Sequence, residues 1–275
     1  MSAASSRSID GRDHLRWVAW FFVLLLVGRV SFLVARSLLG ESAPFWGVGR
    51  VGFQLVRLSP LFAGLLLAEL SGGRRATLAL VQRAVAWRAP LHLYALAIGV
   101  PLLLLTGGVV ASLASGATLN TERVAGLFGF DDFPRFLVYT YAAEVGWRGF
   151  ALEGFRGGRR YWSAALGLGA ATGLLFSLRG ATSPGFWIQA PALMLASAGL
   201  GLFLAWIYRR AEGSVIPGWL GLSTLLCGSL LPGLLQGSGA EFYAGVLVVS
   251  VFLAFAFVAS RVFGRLRRQG LGSRS

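Results

Sequence analysis

The sequence predicts an all-α membrane protein, a polytopic bundle of about eight transmembrane helices with an amphipathic helix at the interface after the second. Three observations predict it. Hydrophobic residues make up 56% of the 275-residue chain and charged residues only 13%, and the mean hydropathy is +0.69, more apolar surface than a soluble domain of this length can bury. The apolar residues fall into runs of about 20, enough to cross a hydrocarbon core ~30 Å thick. The basic residues sit in short clusters between those runs, where they orient a membrane protein and meet anionic lipid.

The first run, Trp17 to Leu39, continues past Arg29 and Arg36 with no small-residue cleavage site, so it is expected to stay as an anchor. The second is Phe53 to Leu70. Between it and the third, Arg74 to Arg88 alternates in a helical pattern, with Leu78, Val81 and Val85 on one face and Arg75 and Arg83 on another. That pattern predicts a helix lying on the cytoplasmic leaflet. The third run is Leu91 to Leu113 and the fourth is Phe136 to Leu152, entered after Pro134. The fifth to eighth are Trp162 to Leu178, Phe186 to Tyr208, Val215 to Leu235 and Phe242 to Phe263. Pro60, Pro101, Pro191 and Pro217 fall within or near the ends of spans, where kinks are tolerated if neighbours satisfy the freed carbonyls. Nine Trp and 20 Phe suit a lipid-facing surface with interfacial anchors, and 38 Gly suit close helix contact.

With these spans Arg7, Arg12, Arg16, Arg74, Arg75, Arg83, Arg88, Arg156, Arg159 and Arg160 all fall on one side. Arg209, Arg210, Arg265, Arg267 and Arg268 join them. The other side holds chiefly Arg50, Arg123, Arg135 and Arg179, with Glu41, Asp131, Asp132 and Glu241. The asymmetry predicts a protein of the cell membrane with both termini cytoplasmic. The net charge of +14 is therefore read by lipid, and nucleic acid is not an expected partner. No repeat or soluble segment interrupts the pattern, which predicts one membrane domain over residues 1–275.

Against this background the stretch Glu144-Val-Gly-Trp-Arg-Gly-Phe150 stands out. Glu144 and Arg148 are spaced i, i+4 with the acid first, the favourable order for a helical ion pair. Gly146 thins the helix between them, and Trp147 is placed to pack beside the guanidinium. Ionisable groups inside a membrane mark a functional site by default.

These residues resemble the first motif of the CPBP family, membrane-embedded glutamate-type proteases that include type II CAAX prenyl endopeptidases and bacteriocin-processing relatives. Leu80-Val-Gln-Arg-Ala-Val-Ala-Trp-Arg88, leading into a span with Tyr94, is similar to the basic segment before that family's core. Ser214-Val-Ile-Pro217 is similar to the start of its last motif, so the resemblance covers residues 74–235. It implies water activated by glutamate and histidine, with a second histidine and an asparagine stabilising the oxyanion. This chain departs from the pattern at each of those groups. The first of two adjacent glutamates is Ala143, the histidine positions are Gly180 and Leu222, and the asparagine position is Leu226. The two histidines of the chain, His14 and His92, lie outside these motifs in the sequence.

General acid or base catalysis contributes about 10²- to 10⁴-fold, and a lost oxyanion donor costs another ~10²- to 10³-fold. The expected protein is thus a family relative with an impaired catalytic set that holds a membrane-anchored or prenylated peptide, or acts as a scaffold. An endopeptidase with a rearranged site around Glu144 is one alternative. A solute or lipid transporter whose path uses Arg29, Glu144 and Arg148 is another.

Blander expectations stand beside these. Glu144 and Arg148 can be a structural pair, with Arg148 snorkelling toward the Arg156 cluster. Arg29 and Arg57 are expected to pair with Glu144 or Glu69 as packing contacts. Cys227, next to the asparagine position, has no nearby base to make it a nucleophile, and being single it forms no internal disulfide. Two dispersed histidines and one cysteine predict neither metal nor cofactor. Asp131-Asp132 reads as a solvated turn, and Gly107-Gly108 and Gly157-Gly158 read as loop or packing glycines.

Overall fold

The computed structural model describes residues 11–39, 46–119, 133–156, 158, 160–177, 186–228 and 235–236. Their order is α1 (Gly11–Leu39), α2 (Trp46–Val85), α3 (Leu91–Ala114), β1 (Thr118–Leu119) and α4 (Phe133–Glu144). A π-helical segment (Val145–Leu152) and a 3₁₀ turn (Glu153–Phe155) continue α4; then come α5 (Tyr161–Ser177), α6 (Phe186–Arg210), α7 (Ile216–Gly228) and β2 (Leu235–Gln236). The class is all-α, with, among the described residues, one two-residue antiparallel pairing in which Thr118 faces Gln236 and Leu119 faces Leu235.

The first four predicted spans and the sixth fall on these helices, the fifth does so as far as residue 177 and the seventh over 216–228, and residues 178 and 229–234 of these two and the eighth span lie outside the described residues. Among the described residues two stretches are long and apolar enough to cross a membrane: Asp13–Ser31 in α1 and Leu91–Ala114, which is α3. Both are mostly exposed, which fits membrane association, and the first lies near the N-terminus, where a signal sequence has the same length and composition.

Chain contacts cluster into two compact units. The first comprises residues 1–97, 131–164 and 207–223, and the second comprises 98–130, 165–206 and 224–275. In the first unit α1 buries His14, Val18, Phe21 and Leu25 along one stripe, at the spacing of an amphipathic helix. Its other faces expose Trp20, Val23, Val27, Val30 and Val34.

Two breaks shape α2. Pro60 has no N–H for the carbonyl of Val56, and the Ser59 hydroxyl donates to that carbonyl at 2.7 Å instead. At Gly73 the backbone turns to φ 62° and ψ −163°, a conformation that only glycine adopts without strain, so α2 is two helices end to end. The second of these is the expected amphipathic helix, ending at Val85 rather than Arg88. Leu78, Val81 and Val85 are exposed as predicted, but Arg83 turns inward beside the buried Leu80 and Ala84. Gly107 and Gly108, read as loop or packing glycines, lie inside α3.

In the second unit α5 and α6 touch backbone to backbone. A β-carbon on Gly169 would lie 2.5 Å from the Ser197 carbonyl oxygen, and one on Gly201 would lie 2.9 Å from the Gly169 Cα. Small residues let helix axes approach where apolar burial gives no drive.

Candidate functional site

Pro134 sits in the first turn of α4, where its missing N–H costs nothing. From there α4 carries Thr140 and Tyr141 to the motif. Thr140 Oγ1 lies 2.7 Å from Ser223 Oγ on α7, and the indole N–H of Trp219 donates to the Leu137 carbonyl at 2.8 Å. The Tyr141 hydroxyl donates to the Ala84 carbonyl at 3.1 Å. These bonds hold α4 between the end of α2 and the start of α7.

At Val145 the winding widens to a π-helix that runs to Leu152 and carries the motif from its second residue on. Such segments are rare and recur at functional sites. Across its start Glu144, the last residue of α4, and Arg148 form the predicted pair through Oε1 and Nη1. The Glu144 side chain is 0% exposed and that of Arg148 is 12% exposed, so the pair is withdrawn from solvent. Glu144 Oε2 has no hydrogen-bond partner among the described residues. It faces Gly218 in the first turn of α7, where a β-carbon would stand 2.7 Å away. Glycine at 218 is what lets α7 pass the carboxylate.

The second glycine of interest is Gly146, which thins the helix as expected. Its Cα lies so close to the Pro60 carbonyl that a β-carbon would overlap it. From the same helix Gly64 and Leu80 press on Gly146, Phe150 and Gly149. The motif is therefore seated on α2 by missing side chains.

Three expectations for this region are corrected. Trp147 does not stack on Arg148. It packs edge-on against Phe21 and Phe22 of α1, with ring centroids 5.1 and 5.3 Å away, because successive residues on a helix do not face the same way. Arg148 does not snorkel toward Arg156; it turns back along the helix to Glu144, the direction helical side chains favour. Neither Glu144 nor Glu69 takes Arg29 or Arg57. Arg148 already holds Glu144, Glu69 accepts from the Thr77 hydroxyl at 2.5 Å, and the Arg57 guanidinium lies 4.7 Å from the Tyr139 ring centroid.

Beyond the pair, the segment is held by two groups that sequence spacing did not assign. His14 Nε2 donates to the Ala151 carbonyl at 3.2 Å, with its ring edge-on to Phe155 at 5.2 Å. This histidine, far from the motif in the chain, is therefore packed on the motif's end, but it meets a carbonyl and not Glu144. His92 is exposed at the start of α3. Glu153 is the second. Its Oε1 lies 3.6 Å from both Arg83 and Arg156, and its Oε2 accepts from the Tyr208 hydroxyl at 2.7 Å. Arg83 also donates to the Gly149 carbonyl at 3.2 Å, and Arg156 to that of Glu212 at 2.8 Å. The i, i+3 spacing of Glu153 and Arg156 was the one sequence signal for this cluster.

Ser214 of the last motif donates to the Ala86 carbonyl and accepts from the Ile216 amide at 3.3 Å, so it starts α7 and ties it to the linker after α2. The Val215 amide adds a bond to the Arg83 carbonyl at 3.2 Å. Of the positions where the resemblance expects catalytic groups, Ala143 and Leu222 are partly buried. Gly180 lies outside the described residues, as do Asp131, Asp132 and the side chains of Leu226 and Cys227. Among the described residues no three His, Cys, Asp or Glu gather as a metal site would need. No family model matches the chain, and no curated protein matches its sequence.

Proposed function

We propose that this protein is a CPBP-like integral membrane protein with an impaired catalytic set, which binds a membrane-anchored or prenylated peptide without cleaving it. The observation that carries the reading is the state of Glu144. It is wholly buried and committed to Arg148, and both histidines are elsewhere: His14 on the Ala151 carbonyl and His92 exposed. A carboxylate so placed has no imidazole with which to share a proton, which hydrolysis of this type requires. The pair serves as architecture, since an ion pair fixes two turns in register where a lone charge is costly.

The protein lies in the cell membrane with about eight spans and both termini cytoplasmic. What supports this is the meeting of the arginine clusters expected on one side: Arg83 and Arg156 share Glu153 with Tyr208 of α6. The aromatic and aliphatic side chains exposed along α1 and α3 support lipid contact.

The experiment is to incubate the purified full chain, in nanodiscs, with a photoreactive farnesylated peptide. The reading expects crosslinking that an unlabelled farnesylated peptide competes away, with the peptide intact after prolonged incubation. Turnover that disappears in Glu144→Gln would replace it with the endopeptidase alternative. That alternative is favoured by one feature, the unpartnered Oε2 of Glu144, an acceptor that could orient a water.

A further inference from the structure

The second half of α2 has two working faces. One is inward: Leu80 and Ala84 are buried, and Arg83 bonds the Gly149 carbonyl and approaches Glu153. The other carries Leu78, Val81 and Val85 at i, i+3 and i+7, all exposed and none needed to seat the helix. The stripe runs on into the linker, where Trp87 is 70% exposed, and to Leu91, which is 83% exposed. Cations bracket it. Arg74 and Arg75 are exposed at one end and Arg88 at the other, with the Arg88 guanidinium 6.0 Å from the Trp87 ring centroid. No Asp or Glu occurs between Leu70 and Leu119, and Glu69, bonded to the Thr77 hydroxyl, is the one carboxylate beside the three arginines in the sequence, so the stretch keeps a net positive charge.

We propose that Arg74–Leu91 is a docking surface for an anionic lipid leaflet, with Leu78, Val81, Val85 and Trp87 set among the acyl chains and Arg74, Arg75 and Arg88 on the headgroups. Two features select a leaflet over an acidic protein. An acidic partner would satisfy the arginines but leave the aliphatic stripe in water, whereas a leaflet satisfies both at one depth. The surface also runs directly into α3, a 24-residue helix apolar enough to cross a membrane, so Trp87 and Leu91 stand where that crossing begins. Because the inward face of the same helix holds the Gly149 carbonyl, the leaflet and the motif grip opposite sides of one element. This inference stands apart from peptide binding.

The test uses the full chain with Cys227→Ser as background and a nitroxide at Leu78→Cys, Val81→Cys, Val85→Cys or, as control, the exposed Gln82→Cys. Each variant is placed in nanodiscs of phosphatidylcholine with or without phosphatidylglycerol, and collisions with oxygen and with a water-soluble nickel chelate are compared. With phosphatidylglycerol the labels at 78, 81 and 85 are expected to meet oxygen several-fold more than nickel, and the label at 82, on the flank of the stripe toward Arg75, to show a smaller ratio. Removing phosphatidylglycerol, or adding Arg74→Gln, Arg75→Gln and Arg88→Gln together, is expected to shift the first three labels toward water. Equal nickel access at all four positions in both lipids would overturn the docking, and a depth indifferent to lipid charge and to the arginines would overturn its anionic preference. None of these readouts depends on whether a peptide binds or is cleaved.

Discussion

Gly146 and Pro60 meet backbone to backbone: the carbonyl of Pro60 occupies the place where a side chain on Gly146 would begin. The contact brings α2 against the π-helical segment and sets the depth at which Glu144 and Arg148 are buried. Gly146→Ala must push the two elements apart or distort the segment, and overpacking of this kind costs about 1 to 3 kcal/mol. Unfolding of the purified protein in detergent is expected to show that loss, accompanied by greater exposure of the Trp147 fluorophore. An unchanged midpoint would mean that the two backbones are not in contact.

The ion pair predicts an asymmetric response. Arg148→Ala leaves Glu144 buried without its partner, which costs ~3 to 5 kcal/mol, while removing both charges with residues of similar volume is often neutral or stabilising. Arg148→Met is therefore expected to be strongly destabilising alone and to be rescued by Glu144→Gln in the same chain. A double-mutant cycle measures it. Additive losses would show that the two residues do not act as a pair.

These two relationships differ in how far the sequence exposes them. The pair is legible because i, i+4 neighbours meet on any helix, whether the turn is wide or regular. The apolar runs likewise announce the helices, since twenty lipid-compatible residues in a row have few other uses. The π winding is not legible, because it coincides with what α2 presses against it, and Pro60, Gly64 and Leu80 reach the motif only through the fold. His14 escaped for the same reason: its partner is a backbone carbonyl 137 residues away, which no side-chain motif encodes. The expectation that Arg29 and Arg57 would seek Glu144 failed because Arg148, one turn away on the same helix, already lies against its Oε1. Gly218 beside Pro217 was visible as a residue, but only the approach of Glu144 Oε2 gives it meaning.

The Glu153 cluster separates a strong bond from weak ones. The Tyr208 hydroxyl donates to a carboxylate at 2.7 Å, and hydrogen bonds to charged groups are worth ~1.5 to 3 kcal/mol. Arg156 is more exposed and its contact with Glu153 is 3.6 Å, a geometry worth ~1 kcal/mol or less. Tyr208→Phe is expected to lower stability more than Arg156→Gln, and only the second effect to shrink as salt is raised. A reversed order in chemical unfolding would place the weight of the cluster on its ion pairs.

His14 and Gly154 predict coupling. A β-carbon on Gly154 would fall on the His14 ring, so Gly154→Ala must displace the imidazole and break its bond to the Ala151 carbonyl. His14→Ala removes the same bond and also the obstacle. The two changes together are expected to cost less than their sum, by ~0.5 to 3 kcal/mol, the range for residues in contact. Strict additivity would mean that the ring yields freely to the methyl group.

The second unit offers a comparison within one helix. Gly167 and Gly169 are both interior to α5, two residues apart and so on different faces. Among the described residues nothing lies within 4 Å of a β-carbon on Gly167, whereas one on Gly169 would lie 2.5 Å from the Ser197 carbonyl oxygen and 2.8 Å from the Ala198 Cα. The same substitution should therefore change sign. Gly167→Ala recovers helix propensity, up to ~1 kcal/mol for glycine to alanine, and is expected to raise the unfolding midpoint in detergent. Gly169→Ala gains the same propensity but must force apart a pair of touching backbones, and the overpacking cost of about 1 to 3 kcal/mol outweighs it. Because both variants add one methyl group two positions apart, the difference between them isolates the helix contact from lipid, length and propensity. If both alanines stabilise equally, α5 and α6 are not packed at Gly169 and Gly201.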